Sequence, residues 1–82
     1  MAPWTVYVLR CRDGSFYTGI TNHLARRLAA HRAGTASAYT RSRRPVRLAY
    51  REPQPAKGAA LRREAAIKRL TRAQKLALVR RR

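Results

Sequence analysis

Two tyrosines, Tyr7 and Tyr17, are the side chains with the most chemical scope in this sequence, and they lie ten residues apart. Both fall in stretches with strand character, so on adjacent strands they could converge on one substrate. A phenol among many cations is expected to ionise more easily than one in water, where its pKa is about 10. The phenolate could then serve as a general base. The structural alternative is that both rings pack in a core or stack on bases.

Acidic residues are scarce, and this limits the metal chemistry open to the chain. The three carboxylates are Asp13, Glu52 and Glu64. A two-metal site normally needs several carboxylates, whereas one Mg²⁺ needs one or two, with water and substrate oxygens completing its shell. Turn chemistry explains Asp13, so Glu64 is the best candidate ligand. Its structural alternative is a surface ion pair with Lys68, four residues further on.

A second group of candidates lies on one predicted helix. Arg27 and His31 are four residues apart and share a face with Leu24, whereas Arg26 points elsewhere. The forked guanidinium of Arg27 could hold a phosphate. The alternatives are a solvated basic face for Arg27 and a partly buried histidine for His31.

Charge is the strongest compositional signal. The 82 residues include 20 Lys and Arg against 3 Asp and Glu, a formal net charge of +17. Nucleic acid is the commonest partner of so basic a domain. An anionic membrane would be the competing partner, but the apolar runs fall far short of the ~20 residues of a spanning helix. Since Cys11 is the single cysteine, no internal disulfide is expected, which favours a reducing, cytoplasmic compartment.

Other site classes are not supported by the sequence. No Cys or His cluster has zinc-ligand spacing. No glycine-rich phosphate loop is present either, so a small-molecule cofactor is not expected.

The elements that position these candidates follow from residue patterns. Residues 4–10 and 15–20 have strand composition and flank the turn pair Asp13 and Gly14, which predicts a hairpin. A helix is predicted over residues 23–33.

That helix has recognisable ends and a buried stripe. Thr21 or Asn22 is its expected N-cap, and Gly34 its expected end. Leu24 and Leu28 are its expected buried side chains.

The next segment predicts a polar loop over residues 35–45 and then a third strand over residues 46–52. Strict alternation would place Val46, Leu48 and Tyr50 on one face of that strand.

Two helices should complete the chain after the break at residues 53–55. One is predicted over residues 57–70, and a capping box at residues 71–74 starts the other, anchored by Leu76 and Val79. The order β-β-α-β-α-α predicts one small α+β domain spanning residues 1–82.

Three segments resemble the GIY-YIG endonuclease superfamily. Thr5-Val6-Tyr7 and Tyr17-Thr18-Gly19 are similar to its two signature motifs, and residues 17–28 are similar to its strand-to-helix segment. Residues 61–68 resemble the helix that carries the family's metal-binding glutamate. The resemblance covers nearly the whole chain and is closest to small stand-alone domains. It extends to the nuclease domain of the excinuclease C subunit and to eukaryotic structure-specific endonucleases.

The resemblance implies a small three-stranded antiparallel sheet flanked by helices, one divalent metal ion (Mg²⁺ or Mn²⁺) and hydrolysis of DNA. Tyr7 would be the general base and Tyr17 would orient water or phosphate, although these roles could be exchanged. Arg27 would neutralise charge on the phosphate, and Glu64 would bind the metal. His31 lies where the family often has Tyr or His. The nucleic-acid-binding residues expected with them are Gly19, Arg26, Arg41, Arg43, Arg44 and Lys68.

The sequence departs from the family pattern in two places. Thr5 and Val6 replace Gly-Ile in the first motif, which a strand tolerates. Many members also carry an Asn in the C-terminal part, whereas the single Asn here is Asn22.

Two functions therefore stay open. One is a metal-dependent endonuclease acting on DNA, with RNA as an alternative substrate and a possible role in repair. The other is a basic binding module with the same fold and little catalysis.

Overall fold

A computed structural model describes residues 3–81 of the chain. Its elements are, in order, β1 (Trp4–Arg10), β2 (Phe16–Thr21), α1 (Leu24–Ala33), α2 (Ala38–Arg41), β3 (Arg47–Gln54), α3 (Lys57–Lys68) and α4 (Arg72–Arg80). The predicted α+β order is confirmed, with the short helix α2 added. None of the helices between residues 3 and 81 has both the length and the apolar character to cross a membrane.

The sheet is three-stranded and antiparallel, in the order β2-β1-β3. β1 is central because four consecutive side chains, Val6 to Leu9, are apolar and buried. A strand that is apolar on both faces requires cover on both sides.

Two clusters provide that cover. Val6 and Val8 pack with residues of α3 and α4 on one face of the sheet, including Ile67 and Leu78. On the other face, Leu9 packs beside Leu24 and Leu28 of α1, together with Tyr7, Tyr17 and Val46. Leu24 and Leu28 thus face the sheet as predicted, although each is only half-buried and His31 is the buried residue of α1. Both tyrosines lie on the α1 face.

The predicted alternation in β3 was wrong. Leu48 packs on the α1 face with Val46, but Tyr50 packs on the opposite face. A bulge causes this, because Val8 pairs with Tyr50 whereas Leu9 pairs with Leu48, so Ala49 is an extra residue in β3.

β3 also continues two residues past the predicted end, through Pro53 to Gln54. Pro53 is tolerated because β3 is an edge strand, where a missing N–H removes no ladder bond from an outer neighbour.

The predicted cap of α1 was also wrong. His23 is the N-cap, and its Nδ1 accepts from the backbone N–H of Arg26 at 3.3 Å. The hydroxyl of Thr21 instead accepts from the backbone N–H of His23 at 3.0 Å. Gly34 ends the helix with φ 82°, as expected.

The segment predicted as a polar loop contains α2. Ser37 caps this helix by accepting from the backbone N–H of Thr40 at 3.1 Å. The predicted capping box before α4 is confirmed. In α4, Leu78 is the buried residue and Val79 packs beside it, whereas Leu76 is only half-buried.

Candidate active site

Tyr7 and Gly19 face each other across the hairpin. A Cβ on Gly19 would lie 2.5 Å from the Tyr7 hydroxyl oxygen and 2.7 Å from its Cζ. The phenol ring therefore lies directly over Gly19, and any side chain there would displace it. Gly19, named above among the expected nucleic-acid-binding residues, makes room for Tyr7.

His31 connects the two tyrosines. Its Nε2 lies 2.8 Å from the Tyr7 hydroxyl, and its Nδ1 lies 2.8 Å from the Thr40 hydroxyl. Its ring also packs edge-on against Tyr7 and Tyr17, with centroid separations of 5.7 Å and 5.1 Å. His31 and Thr40 are almost fully buried, so both hydrogen bonds are shielded from water.

The expectation that cations ease ionisation of the tyrosines was wrong for Tyr7. Burial raises the pKa of Tyr7, and the nearby Tyr17 and Glu64 raise it further, whereas Arg27 lowers it. Desolvation exceeds the effect of the single close cation. Tyr7 therefore keeps its proton at neutral pH.

The groups that change the pKa of Tyr7 show that four of the candidate residues lie near one another. Tyr17, Arg27 and Glu64 each lie close enough to Tyr7 for their charges to change its pKa. They arrive from β2, α1 and α3 respectively. The structure thus brings together the five residues singled out as catalytic, with His31 as the fifth.

Burial lowers the pKa of His31, and the charge of Arg27 lowers it further. His31 is therefore neutral near pH 7, with one ring nitrogen protonated and the other able to accept a proton. His31 is more deeply buried than the sequence analysis expected in its structural alternative, a partly buried histidine.

The three carboxylates differ in how many hydrogen bonds and ion pairs their oxygens already make. Asp13 accepts from Ser15 and pairs with Arg43 at 3.2 Å. Glu52 accepts from Tyr50, Gln54 and Arg63 at 2.6–2.8 Å. Among the described residues, Glu64 forms an ion pair with Lys68 alone, at 3.4 Å, which confirms the expected ion pair; its role as a metal ligand stays a prediction.

A single divalent ion fits this donor set. Within residues 3–81 no group of three or more His, Cys, Asp or Glu could hold a metal. Mg²⁺ commonly takes one or two carboxylates and keeps several waters. Glu64 alone can supply that carboxylate, and displacement of the Lys68 ammonium would free both of its oxygens.

The basic residues expected to bind nucleic acid include side chains that are exposed in a cleft and one that is held by hydrogen bonds to the backbone. Arg26 and Arg27 are exposed and line a cleft with Thr21 and Asn22. Arg44 is held by the structure, because it donates to the carbonyls of Arg32 and Arg41 at 3.3 Å and 3.1 Å.

Tyr39 and Arg43 form a contact that sequence reasoning missed. The guanidinium carbon of Arg43 lies 3.8 Å from the centre of the Tyr39 ring, and that ring lies 5.9 Å from the ring of Tyr17. Tyr39 is exposed. Thr40 was missed as well, although Ser37, a strong N-cap residue, could have signalled the helix that carries both.

Comparison with known proteins decides the family. The sequence profile of the GIY-YIG catalytic domain matches residues 3–77. The chain belongs to the GIY-YIG family. Tyr7, Tyr17 and Gly19 lie within the matched residues, and their correspondence to the family's signature motifs stays a prediction.

Relatives of similar size share about half of the residues. A UPF0213 protein of Xanthomonas axonopodis pv. citri is 51% identical over 94% of this chain and 76% of its own length. One from Halobacterium salinarum is 52% identical over 89% of this chain and 95% of its own. The solution NMR structure of a UPF0213 protein from Bacillus halodurans matches with a TM-score of 0.60 and 43% identity, covering 93% of this chain and 81% of that chain. The chain thus resembles a small stand-alone GIY-YIG group.

Family membership supports a nuclease, and a nuclease domain implies a nucleic-acid substrate. GIY-YIG nucleases generally use divalent metal ions, which agrees with the donor set at Glu64.

Proposed function

We propose that this protein is a Mg²⁺-dependent endonuclease that hydrolyses DNA phosphodiester bonds. One observation carries the proposal: the Tyr7 hydroxyl is hydrogen-bonded to His31 and electrostatically coupled to Tyr17, Arg27 and Glu64. A general base, a phosphate-binding cation and a metal-binding carboxylate can each accelerate phosphodiester hydrolysis, and here candidates for all three lie close together.

Tyr7 acts as the base through His31, because it is not ionised at rest. In the DNA complex, a water molecule held beside the little-exposed Tyr7 hydroxyl loses a proton to the Tyr7 oxygen as the proton of Tyr7 passes to His31 Nε2. The water oxygen forms a bond to phosphorus while the bond to the leaving oxygen breaks. The leaving oxygen takes a proton from solvent, and His31 returns its extra proton to solvent through Tyr7.

Charge on the phosphate is balanced by two groups. The exposed guanidinium of Arg27 binds a non-bridging oxygen, while Tyr17 orients the phosphate or the water. Glu64 would hold a Mg²⁺ ion, which would supply positive charge near the scissile phosphate.

Exposed basic residues near the site bind the flanking phosphates. Arg26 beside Arg27, and Arg41 and Arg43 at α2, are the side chains for this role. Arg44, which donates to the carbonyls of Arg32 and Arg41, adds positive charge at this end of the site. Lys68, which pairs with Glu64, would be free to bind phosphate if a metal ion displaced it.

A cleavage panel tests the proposal. Duplex, nicked, flapped, forked and single-stranded DNA, together with RNA, are incubated with purified protein in Mg²⁺, Mn²⁺ or EDTA. The expected result is metal-dependent cleavage of at least one DNA, abolished by EDTA. Absence of cleavage from every DNA at protein concentrations that saturate binding contradicts it.

The second candidate, a binding module without catalysis, is favoured by one observation. Lys68 neutralises Glu64, and the C-terminal half has no Asn to supply a further polar ligand. This candidate predicts DNA binding that Mg²⁺ weakens only as an added salt does, and no cleavage in the same panel.

A further inference from the structure

The inference concerns the buried hydroxyl of Thr40, and it rests on the proposed function. Thr40 is fully buried on α2, and its hydroxyl oxygen lies 2.8 Å from His31 Nδ1. It also lies 2.9 Å from the Ser37 hydroxyl and 3.4 Å from the Ser37 carbonyl. The polar chain therefore runs from Tyr7 through His31 and Thr40 to Ser37.

Neutral His31 carries one ring proton, so two arrangements of this chain are possible. In the first, Nδ1–H donates to Thr40, Nε2 accepts from the Tyr7 hydroxyl, and Thr40 donates to Ser37. In the second, Thr40 donates to Nδ1, and Nε2–H donates to Tyr7. The hydroxyl proton of Tyr7 then points away from His31.

The two arrangements differ in how many buried donors they satisfy. The first gives an acceptor to each of the buried donors of Tyr7, His31 and Thr40, because Ser37 offers both a carbonyl and a hydroxyl oxygen to Thr40. In the second, no side chain or backbone group within residues 3–81 other than His31 is within hydrogen-bond reach of the Tyr7 hydroxyl. Because Tyr7 is only 2% exposed, an unused donor there is costly.

We propose that Thr40 is a positioning residue that holds His31 in the Nδ1–H tautomer, so that Nε2 can receive the proton of Tyr7. The hydrogen bond made by one ring nitrogen of a histidine decides which state the other can adopt. The groups facing this ring are Tyr7 from β1, Tyr17 from β2, Arg27 on its own helix and Thr40 from α2. Of these, Thr40 is the one whose oxygen can accept from Nδ1.

The tautomer can be measured without any substrate. In protein labelled with ¹⁵N, the chemical shifts of the two ring nitrogens of His31, read through their couplings to the ring C–H protons, identify which nitrogen is protonated. The comparison uses wild type, Thr40→Val, which keeps the shape and removes the hydroxyl, and Thr40→Ser, which restores it. We expect the Nδ1–H form in wild type and Thr40→Ser, and the Nε2–H form in Thr40→Val.

Cleavage kinetics on the best substrate of the panel complete the test. Thr40→Val should lower kcat roughly 10²-fold, the low end of what general base catalysis contributes, with KM unchanged because Thr40 does not touch DNA. Thr40→Ser should recover most of the rate. A purely structural role would instead lower the folded fraction, which the NMR spectrum reports directly.

Two results would overturn the inference. One is the Nε2–H form in wild type, or the same tautomer in wild type and Thr40→Val. The other is a wild-type kcat in Thr40→Val despite a changed tautomer. If wild type itself cleaves nothing, the proposed function fails, while the nitrogen shifts still decide whether Thr40 sets the tautomer.

Discussion

At the residue scale, the hydroxyl groups of Tyr7 and Tyr17 separate a catalytic role from a packing role. Tyr→Phe at either position keeps the ring that packs beside Leu9 and His31, so the fold should persist. We expect cleavage to fall roughly 10²-fold or more for Tyr7→Phe, because the route for the water proton is lost. Tyr17→Phe should slow it less if Tyr17 only orients the phosphate. Near-normal rates in both variants, with circular dichroism showing intact folding, would leave the two rings as core residues.

The burial of His31 also leads to a prediction about how the stability of the protein depends on pH. Its pKa is lowered in the folded state, so the unfolded chain binds a proton more readily than the folded one below its ordinary pKa of about 6.5. Stability should therefore decrease as the pH falls below about 6.5. The pKa values of Asp13 and Glu52 are also lowered, but these acids lose their contribution only near the lower pH where carboxylates titrate. Thermal unfolding between pH 7.5 and 5.5 measures the effect.

His31→Gln is the matched variant for that measurement. Gln can hydrogen-bond to Tyr7 and Thr40 but does not titrate. Its melting temperature should change much less over the same interval than that of the wild type. An equally steep loss in the variant would assign the pH dependence to another group.

At the element scale, Glu52 joins β3 to α3, the helix that carries Glu64. Its carboxylate accepts from Arg63 at 2.8 Å and from Tyr50 at 2.7 Å. Burial alone would raise the pKa of Glu52, but the hydrogen bonds from Tyr50 and Arg63 hold it below its usual value. Glu52→Ala should therefore destabilise the protein by about 1–3 kcal/mol, since half-buried donors lose their acceptor. Urea unfolding measures this, and a change below about 0.5 kcal/mol would show the network to be solvated surface.

The elements also show what the sequence could and could not predict. β1 and β2 were predictable from their strand composition around Asp13-Gly14, α1 from Leu24, Leu28 and Gly34, and α3 from the break at residues 53–55 that precedes it. The bulge at Ala49 was not predictable, because one extra residue in a strand leaves no sequence signature.

Prediction of the site failed where it depended on a short element and on burial. α2 is four residues long, too short to show a helical period, so Thr40 and Tyr39 were missed. The predicted direction of the Tyr7 pKa shift was wrong for a different reason. A count of nearby cations ignores the desolvation of the buried phenol, and the packing of the fold decides which of the two effects is larger. The grouping of Tyr7, Tyr17, Arg27, His31 and Glu64 came from the resemblance, and their catalytic roles stay predictions.

At the scale of the whole molecule, the net charge of +17 should make salt act in opposite directions on binding and folding. DNA affinity should fall steeply with salt, by about 0.9 in the log–log slope for each phosphate contacted on duplex DNA. The melting temperature of the free protein should rise over the same range, because screening reduces repulsion between its own charges. Fluorescence anisotropy and thermal unfolding at matched NaCl concentrations measure the two effects. A salt-independent affinity would contradict the electrostatic account.

The most direct test of the central claim compares cleavage and binding in Glu64→Gln on one DNA. Asp13→Asn, which removes the same charge from a turn and releases Arg43 from its ion pair, is the control for the effect of charge on DNA binding. We expect Glu64→Gln to bind at least as tightly as wild type, because a negative charge near phosphate is gone, and to lose cleavage, because the carboxylate that binds the metal is gone. Circular dichroism should show a folded protein, since the lost pair with Lys68 contributes only about 0.3–0.5 kcal/mol. Asp13→Asn should cut like wild type. A folded Glu64→Gln protein that cleaves at the wild-type rate would contradict the assignment of the metal site and the mechanism built on it.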